Sequence, residues 1–199
     1  MTGSFYFRTR QEPLRSHTHV EFLLDNGESL GYRDTRRFGR LWWFVGAEEP
    51  DPFPLAQLGP DALSVPQAVF REILRTRRRM MKPLLLDQHL VAGLGNIYVD
   101  EILFRSRIHP NQPSHRIGDR KAFDLWGVMR SVLLDAIEKG GSSIRDYVDT
   151  NGRMGDFQKE HLVYGRAGNP CPRCGRPLKR ILVAQRGTCF CPRCQRLRK

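Results

Sequence analysis

The sequence predicts an α+β chain in three parts: a strand-rich N-terminal stretch, a helical middle and a C-terminal metal-bearing β-hairpin. Three observations lead there. β-rich runs separated by hairpin turn chemistry fill residues 1–44. From Pro66 the apolar spacing changes to i, i+3, i+4, the signature of helices with one buried face. Near the C-terminus Cys171-Pro172-Arg173-Cys174 returns as Cys191-Pro192-Arg193-Cys194.

In the first part, Ser4-Phe5-Tyr6-Phe7-Arg8 and His19-Val20-Glu21-Phe22-Leu23-Leu24 read as strands. Asp25-Asn26-Gly27 supplies a turn before a third strand at Ser29-Leu30-Gly31-Tyr32. His17 and His19 are expected to share a strand face. Arg36-Arg37-Phe38-Gly39-Arg40 crowds cations around one ring, so it reads as a loop offered to a partner or as a solvated loop, and Leu41-Trp42-Trp43-Phe44 reads as an apolar strand. Pro50, Pro52, Pro54 and Pro60 mark residues 46–60 as a linker.

The middle part opens with a helix carrying Val69, Phe70, Ile73 and Leu74 inward and ending in Arg75, Arg77, Arg78 and Arg79. Leu84 to Val91 is a second helical stretch. Gly93-Leu94-Gly95 breaks it, and Asn96, a good N-cap residue, starts a third helix running to about Arg105. A helix start reached through two glycines also lets a phosphate approach free N–H groups, although ordinary helical hairpins look similar. Ala122 to Lys139 is a long helix, with Phe123, Trp126, Met129, Val132, Leu133 and Ile137 expected inward and Gly140-Gly141 as its stop. Val148 to Glu160 is polar and glycine-containing, and is expected to be a mobile loop.

In the third part, each Cys-x-x-Cys knuckle converges two sulfurs. Two knuckles complete a tetrahedral four-thiolate zinc site at Cys171, Cys174, Cys191 and Cys194. Redox or disulfide use of the two pairs is the competing reading. The spacer reads as a β-hairpin. Cys189 reads as a small buried residue of the hairpin or as an alternate metal ligand; the adjacent knuckle already supplies both sulfurs, which favours the first.

The chain has 199 residues and a net charge of +12, with 40% hydrophobic residues, enough for a core. Between Gly165 and Lys199 lie ten basic residues and no acidic one, which leaves 23 basic against 21 acidic residues elsewhere. The hairpin is therefore the polyanion-facing module, a footprint that suits nucleic acid. No apolar run is long enough to span a membrane, no secretory segment opens the chain, and four of five cysteines have metal spacing, so the expectation is a cytoplasmic protein. No Ser/His/Asp triad, phosphate loop or paired-carboxylate site stands out.

Four motifs resemble the formamidopyrimidine-DNA glycosylase (Fpg/MutM) family: Met1-Thr2-Gly3-Ser4, Asp34-Thr35-Arg36-Arg37-Phe38-Gly39, Gly93-Leu94-Gly95-Asn96-Ile97-Tyr98, and Tyr164-Gly165-Arg166 with the four cysteines. The resemblance implies the C-terminal part of a β-sandwich catalytic domain at residues 1–53. It further implies a helix–two-turn–helix DNA-binding domain at 54–165 and a zinc finger at 166–199 holding one structural Zn²⁺. It implies a base-excision-repair DNA glycosylase and abasic-site lyase, acting on oxidised purines by base flipping, Schiff-base formation and β,δ-elimination. The expected partner is double-stranded DNA with a damaged base or abasic site, met by a monomer in the cytoplasm at the nucleoid.

Residue by residue, the resemblance implies that Met1, Arg36 and Phe38 fill the hole left by the flipped nucleotide. Lys82, Asn96 and Arg186 grip phosphates, His17, Arg77 and Arg78 contact the backbone, and Arg153 lies in the loop folding over the flipped base. Arg186 also carries a catalytic role in δ-elimination within the family, although an arginine seldom gives up a proton, which favours the phosphate clamp. The family's N-terminal proline nucleophile, its following glutamate and its sandwich lysine have no counterpart in the sequence. The chain is expected to be such an enzyme with a truncated or misannotated start and to lack glycosylase activity alone. The alternative is a non-catalytic damaged-DNA-binding protein. An RNA-binding zinc ribbon is a third reading, with no evident use for a base-filling wedge.

Overall fold

The computed structural model describes residues 3–43, 55–144 and 148–198. Met1, Phe44 and most of the expected linker lie outside them. The chain divides into two compact units, one of Met1–Ala47 with Ala136–Glu160, the other of Glu48–Asp135 with His161–Lys199.

In the first unit, β1 (Ser4–Thr9), β2 (Thr18–Leu23) and β3 (Glu28–Arg33) form an antiparallel sheet in the order β1-β3-β2. The β2–β3 hairpin closes as its turn residues require. Asn26 accepts the Glu28 N–H at 3.0 Å, and Gly27 takes φ +85°, a conformation glycine adopts without strain. Facing pairs Phe5↔Tyr32 and Phe22↔Leu30 put an apolar row on one face, where Phe5 and Phe22 stay exposed; Tyr6 is buried on the other.

Two expectations fail here. Leu41, Trp42 and Trp43 form no strand. His17 does not share the β2 face with His19: it precedes the strand at φ +63°, and the register then shifts between Thr18 and Val20.

Residues 148–160 are more structured than their composition suggests. Asp149 Oδ1 accepts the Asn151 and Arg153 N–H groups, Phe157 is buried, and a 3₁₀ turn spans Phe157–Glu160. The Phe7 N–H reaches the Thr150 carbonyl at 3.2 Å, which ties this segment to β1.

The second unit is built on α1 (Gln67–Thr76), α2 (Met81–Leu86), α3 (Asn96–Arg105) and most of α4 (Asp119–Glu138), followed by the hairpin β4 (Lys179–Val183) and β5 (Arg186–Phe190). Phe70, Met81, Leu85, Ile102, Leu125 and Met129 are among the buried side chains of its core. α2 starts and ends earlier than the apolar pattern suggests. Pro83 is tolerated in its first turn, where no N–H is needed, and Asp87 ends it by accepting the His89 N–H. The inward stripe of α4 is also rotated from the expected one. Ala122, Leu125, Met129, Val132 and Leu133 are buried, Phe123 and Ile137 are exposed, and half-buried Trp126 donates Nε1–H to the Val65 carbonyl. Among the described residues, no helix is long and apolar enough to cross a membrane.

Candidate nucleic-acid interface and metal centre

The four knuckle sulfurs lie within 4.8 Å of one another, with Cys171 to Cys194 at 3.9 Å and Cys174 to Cys191 at 3.5 Å. Tetrahedral zinc with bonds of about 2.3 Å requires sulfurs roughly 3.8 Å apart, so the cluster fits that ion. A four-thiolate set leaves no position for water, which makes the site structural. Cys189 is buried on β5 outside the cluster.

Carboxylates on α3 fasten the finger to the helical core. Asp100 Oδ2 accepts the Cys189 N–H at 2.9 Å. Glu101, with its side chain fully buried, accepts three consecutive N–H groups through Oε1, from Leu162 (3.0 Å), Val163 (2.9 Å) and Tyr164 (2.9 Å). Arg173 stacks on Phe104 at 4.6 Å and donates to the Phe104 carbonyl at 2.9 Å, closing the other end of the same helix against the first knuckle.

The hairpin reverses through two residues, Ala184 (φ +48°) and Gln185 (φ +58°), both left-handed as a two-residue turn of this kind demands. Arg186 follows at once and is exposed. The next carbonyl, that of Gly187, receives Asn96 Nδ2 at 3.2 Å and the Lys82 ammonium at 3.4 Å. Lys82 and Asn96 thus meet at the backbone of Gly187, the residue after Arg186, where the start of α3 touches the hairpin. Asn96 Oδ1 is buried without a hydrogen-bond partner. A Cβ at Gly187 would stand 3.0 Å from the Arg180 guanidinium, which places a second arginine beside this residue.

Lys82, expected by the resemblance to grip a phosphate, lies inside the fold. Its side chain is fully buried, with Nζ 2.6 Å from Asp100 Oδ1. Burial pushes the Asp100 carboxyl up to about 6, against the opposing pull of Lys82, and burial lowers the Lys82 ammonium.

In the first unit, Asp34 is 2% exposed and accepts the N–H groups of Arg36 (3.2 Å), Phe38 (2.9 Å) and Gly39 (2.8 Å). The loop so wrapped presents Phe38, 70% exposed, with the Arg36 guanidinium 4.4 Å over its ring. A cavity of about 470 Å³ beside it is lined in part by Phe5, Tyr32, Arg36, Phe38 and Trp42. His17 is joined to this loop through its carbonyl, which accepts the Asp34 N–H at 3.0 Å.

Arg77 and Arg78 are exposed just past α1, Arg78 at φ +41°. Arg153 is exposed in its Asp149-closed turn. Met1 lies outside the described residues.

Sequence reasoning missed Asp34, Asp100, Glu101 and Arg180. For Asp34 a signal existed: an aspartate opening a polar turn captures N–H groups two residues on. Asp100 and Glu101 carry no local signal, because the backbone N–H groups they accept lie about 60 to 90 residues further along the chain.

Comparison with known proteins gives a consistent result. The formamidopyrimidine-DNA glycosylase H2TH domain matches residues 58–148, the zinc finger found in FPG and IleRS matches 168–197, and the formamidopyrimidine-DNA glycosylase N-terminal domain matches 1–41. The formamidopyrimidine-DNA glycosylase of Geobacillus kaustophilus is 46% identical over 98% of this chain and 72% of its own length. That of Bacillus subtilis is 41% identical, over 98% and 71%. The crystal structure of MutM (Fpg) from Thermus thermophilus superposes with a TM-score of 0.87 at 43% identity, covering 100% of this chain and 74% of that one. Lactococcus lactis Fpg in complex with abasic-site DNA superposes with a TM-score of 0.87 at 38% identity, over 98% and 72%.

Proposed function

Because the chain belongs to the formamidopyrimidine-DNA glycosylase family, we propose that it recognises oxidised purines and abasic sites in duplex DNA, as a monomer in the cytoplasm at the nucleoid. The observation that carries the reading is the convergence of Asn96 and Lys82 on the Gly187 carbonyl, one residue after Arg186. A phosphate approaching there meets the start of α3, the Asn96 amide and the Arg186 and Arg180 guanidiniums together. Lys82 acts on that phosphate through the carbonyl it holds rather than by direct contact. Zinc supplies no chemistry; its four thiolates fix the hairpin and so fix Arg186. Arg186 serves as the clamp, because a guanidinium is a poor proton donor and a good phosphate fork.

Flipping a nucleotide out of the duplex costs about a few kcal/mol and leaves a gap in the stack. Phe38 enters that gap as a ring between base steps, Arg36 faces the orphaned base, and Met1 is the apolar wedge. Arg153 belongs to the segment that covers the flipped base, and His17, Arg77 and Arg78 contact the backbone. Excision in this family proceeds through attack on the sugar by a proline amine, then β,δ-elimination. For the 199 residues by themselves the proposal is lesion binding without strand cleavage, because the residues this reading draws on are gap-filling and phosphate-contacting ones.

A duplex bearing a single formamidopyrimidine opposite cytosine, incubated with the 199-residue protein and borohydride, tests both halves. The expected result is a retarded complex with no covalent adduct and no cut strand. A trapped adduct or cleavage overturns the non-catalytic half; no complex overturns the lesion-binding half.

A further inference from the structure

At the far end of α3 from the clamp, a second basic site is built from elements with no part in lesion binding. Ten residues at about 1.5 Å rise separate the two ends by roughly 15 Å. There a cavity of about 70 Å³ is lined by Arg107, Arg116, Lys121, Arg196 and Arg198 together with Gln112, and no carboxylate lines it. Among the described residues, none of these five cations is in a salt bridge. Five cations around one recess, with Asp124 facing Lys121 from outside its lining, repel one another unless an anion enters.

The walls are fixed by buried amides. Gln112, 3% exposed, donates to the Arg198 carbonyl at 3.1 Å and accepts the Arg198 N–H at 2.8 Å. Gln195, 1% exposed, donates to the Ile108 carbonyl at 2.9 Å. Thus the segment leaving the second zinc knuckle is pinned across the loop that leaves α3, and Arg196 and Arg198 are held beside Arg107. Lys121 is half-buried, and burial lowers its ammonium; Asp124 pulls the other way, while Arg198, Arg107 and Arg173 add to the lowering. On the order of 10–15 Å³ holds one water, so the cavity has room for a few waters or one tetrahedral oxyanion, and not for a nucleoside.

We propose that this cavity is a second phosphate-binding site, taking one phosphate group remote from the clamp. A guanidinium fork matches phosphate geometry, and the five cations compensate its charge. The phosphate is either free in solution or part of a DNA backbone that extends beyond the clamp. The inference does not rest on the lesion reading.

The test is an amide NMR titration of the whole chain with inorganic phosphate, against sodium chloride at matched ionic strength. The expected result is a saturable shift of the Ile117, Gly118 and Arg198 amides with phosphate alone, abolished in a Lys121→Gln, Arg198→Gln double variant. Salt dependence then separates the sources. If the phosphate belongs to DNA, the double variant lowers the slope of log K against log salt by about 0.9 per lost contact on a duplex of roughly 30 base pairs, and leaves it unchanged on roughly 12. If it is free phosphate, the slopes match and only the titration responds. No saturable shift in the wild-type protein overturns the proposal, whatever the variant does. Because the lesion assay reads the clamp, failure of one site is distinguishable from failure of the other.

Discussion

The Lys82 ammonium lies 2.6 Å from Asp100 Oδ1, with both side chains fully buried. This pair joins α2 to α3, and through Asp100 Oδ2 and the Cys189 N–H it joins both to the zinc hairpin. The clamp is therefore positioned by a buried electrostatic bridge whose ends are each hydrogen-bonded to the hairpin backbone.

Removing one end exposes the cost of the other. Asp100→Asn leaves Lys82 buried without its counter-charge, and destabilisation of about 3–5 kcal/mol is expected at neutral pH by denaturant unfolding. The Asp100 carboxyl titrates near 6 in the fold and near 3.8 when exposed, so folding takes up a proton between those values. Its contribution falls as pH rises through that window and is constant above it. The advantage of the wild type over Asp100→Asn should therefore shrink from about pH 4 to about pH 6. An advantage that grows with pH over that range would show that the attraction of Lys82 outweighs the burial that raises the Asp100 carboxyl.

Glu101 is a separate fastening. Hydrogen bonds to a charged group contribute about 1.5–3 kcal/mol each, and Glu101→Gln gives up the charge while keeping one acceptor oxygen. Amide exchange at Leu162, Val163 and Tyr164 should accelerate together, before global unfolding. Unchanged protection at all three would show that the segment is held by other contacts.

Zinc has an expected effect on binding without taking part in chemistry. Chelation removes folding free energy on the order of 10 kcal/mol in comparable four-ligand peptides. Loss of the hairpin fold should then be visible by circular dichroism, with DNA affinity falling in parallel and recovering when Zn²⁺ is restored. Full affinity in the metal-free protein would separate Arg186 from the metal.

The metal cluster, the bounds of α3 and the hairpin were all legible in the sequence, because each depends on local chemistry: cysteine spacing, a Gly-Leu-Gly break, alternation of apolar residues. Asn96, expected to cap α3, is instead its first helical residue; Gly95 takes the cap position, and the Asn96 amide turns to the Gly187 carbonyl. What escaped depends on partners distant in the chain. Lys82 was expected, by resemblance, to grip a phosphate; its burial beside Asp100 has no local signal in the sequence. The rotated face of α4 escaped for a related reason. Its small inward residues, Ala122 and Ala136, carry little apolar signal, and bulky Phe123 misled the periodicity. Leu41, Trp42 and Trp43 have strand composition but no pairing partner among the described residues.

Asp34 should control discrimination rather than raw affinity. Asp34→Ala removes the acceptor from three loop N–H groups and frees the Arg36–Phe38 loop. The preference for abasic over intact duplex is expected to fall, with the slope of log K against log salt unchanged, since no phosphate contact is lost. A changed slope with an intact preference would make Asp34 part of the backbone grip instead.

The central claim is that these residues recognise a gap in the base stack, and one comparison tests it most directly. Dissociation constants of the 199-residue protein are measured at the same salt for a duplex with one abasic-site analogue and for the sequence-matched intact duplex. Tighter binding to the abasic duplex, by about tenfold or more (about 1.4 kcal/mol), is expected. Equal affinity for the two duplexes would contradict the account and leave only a basic surface on which any DNA can settle.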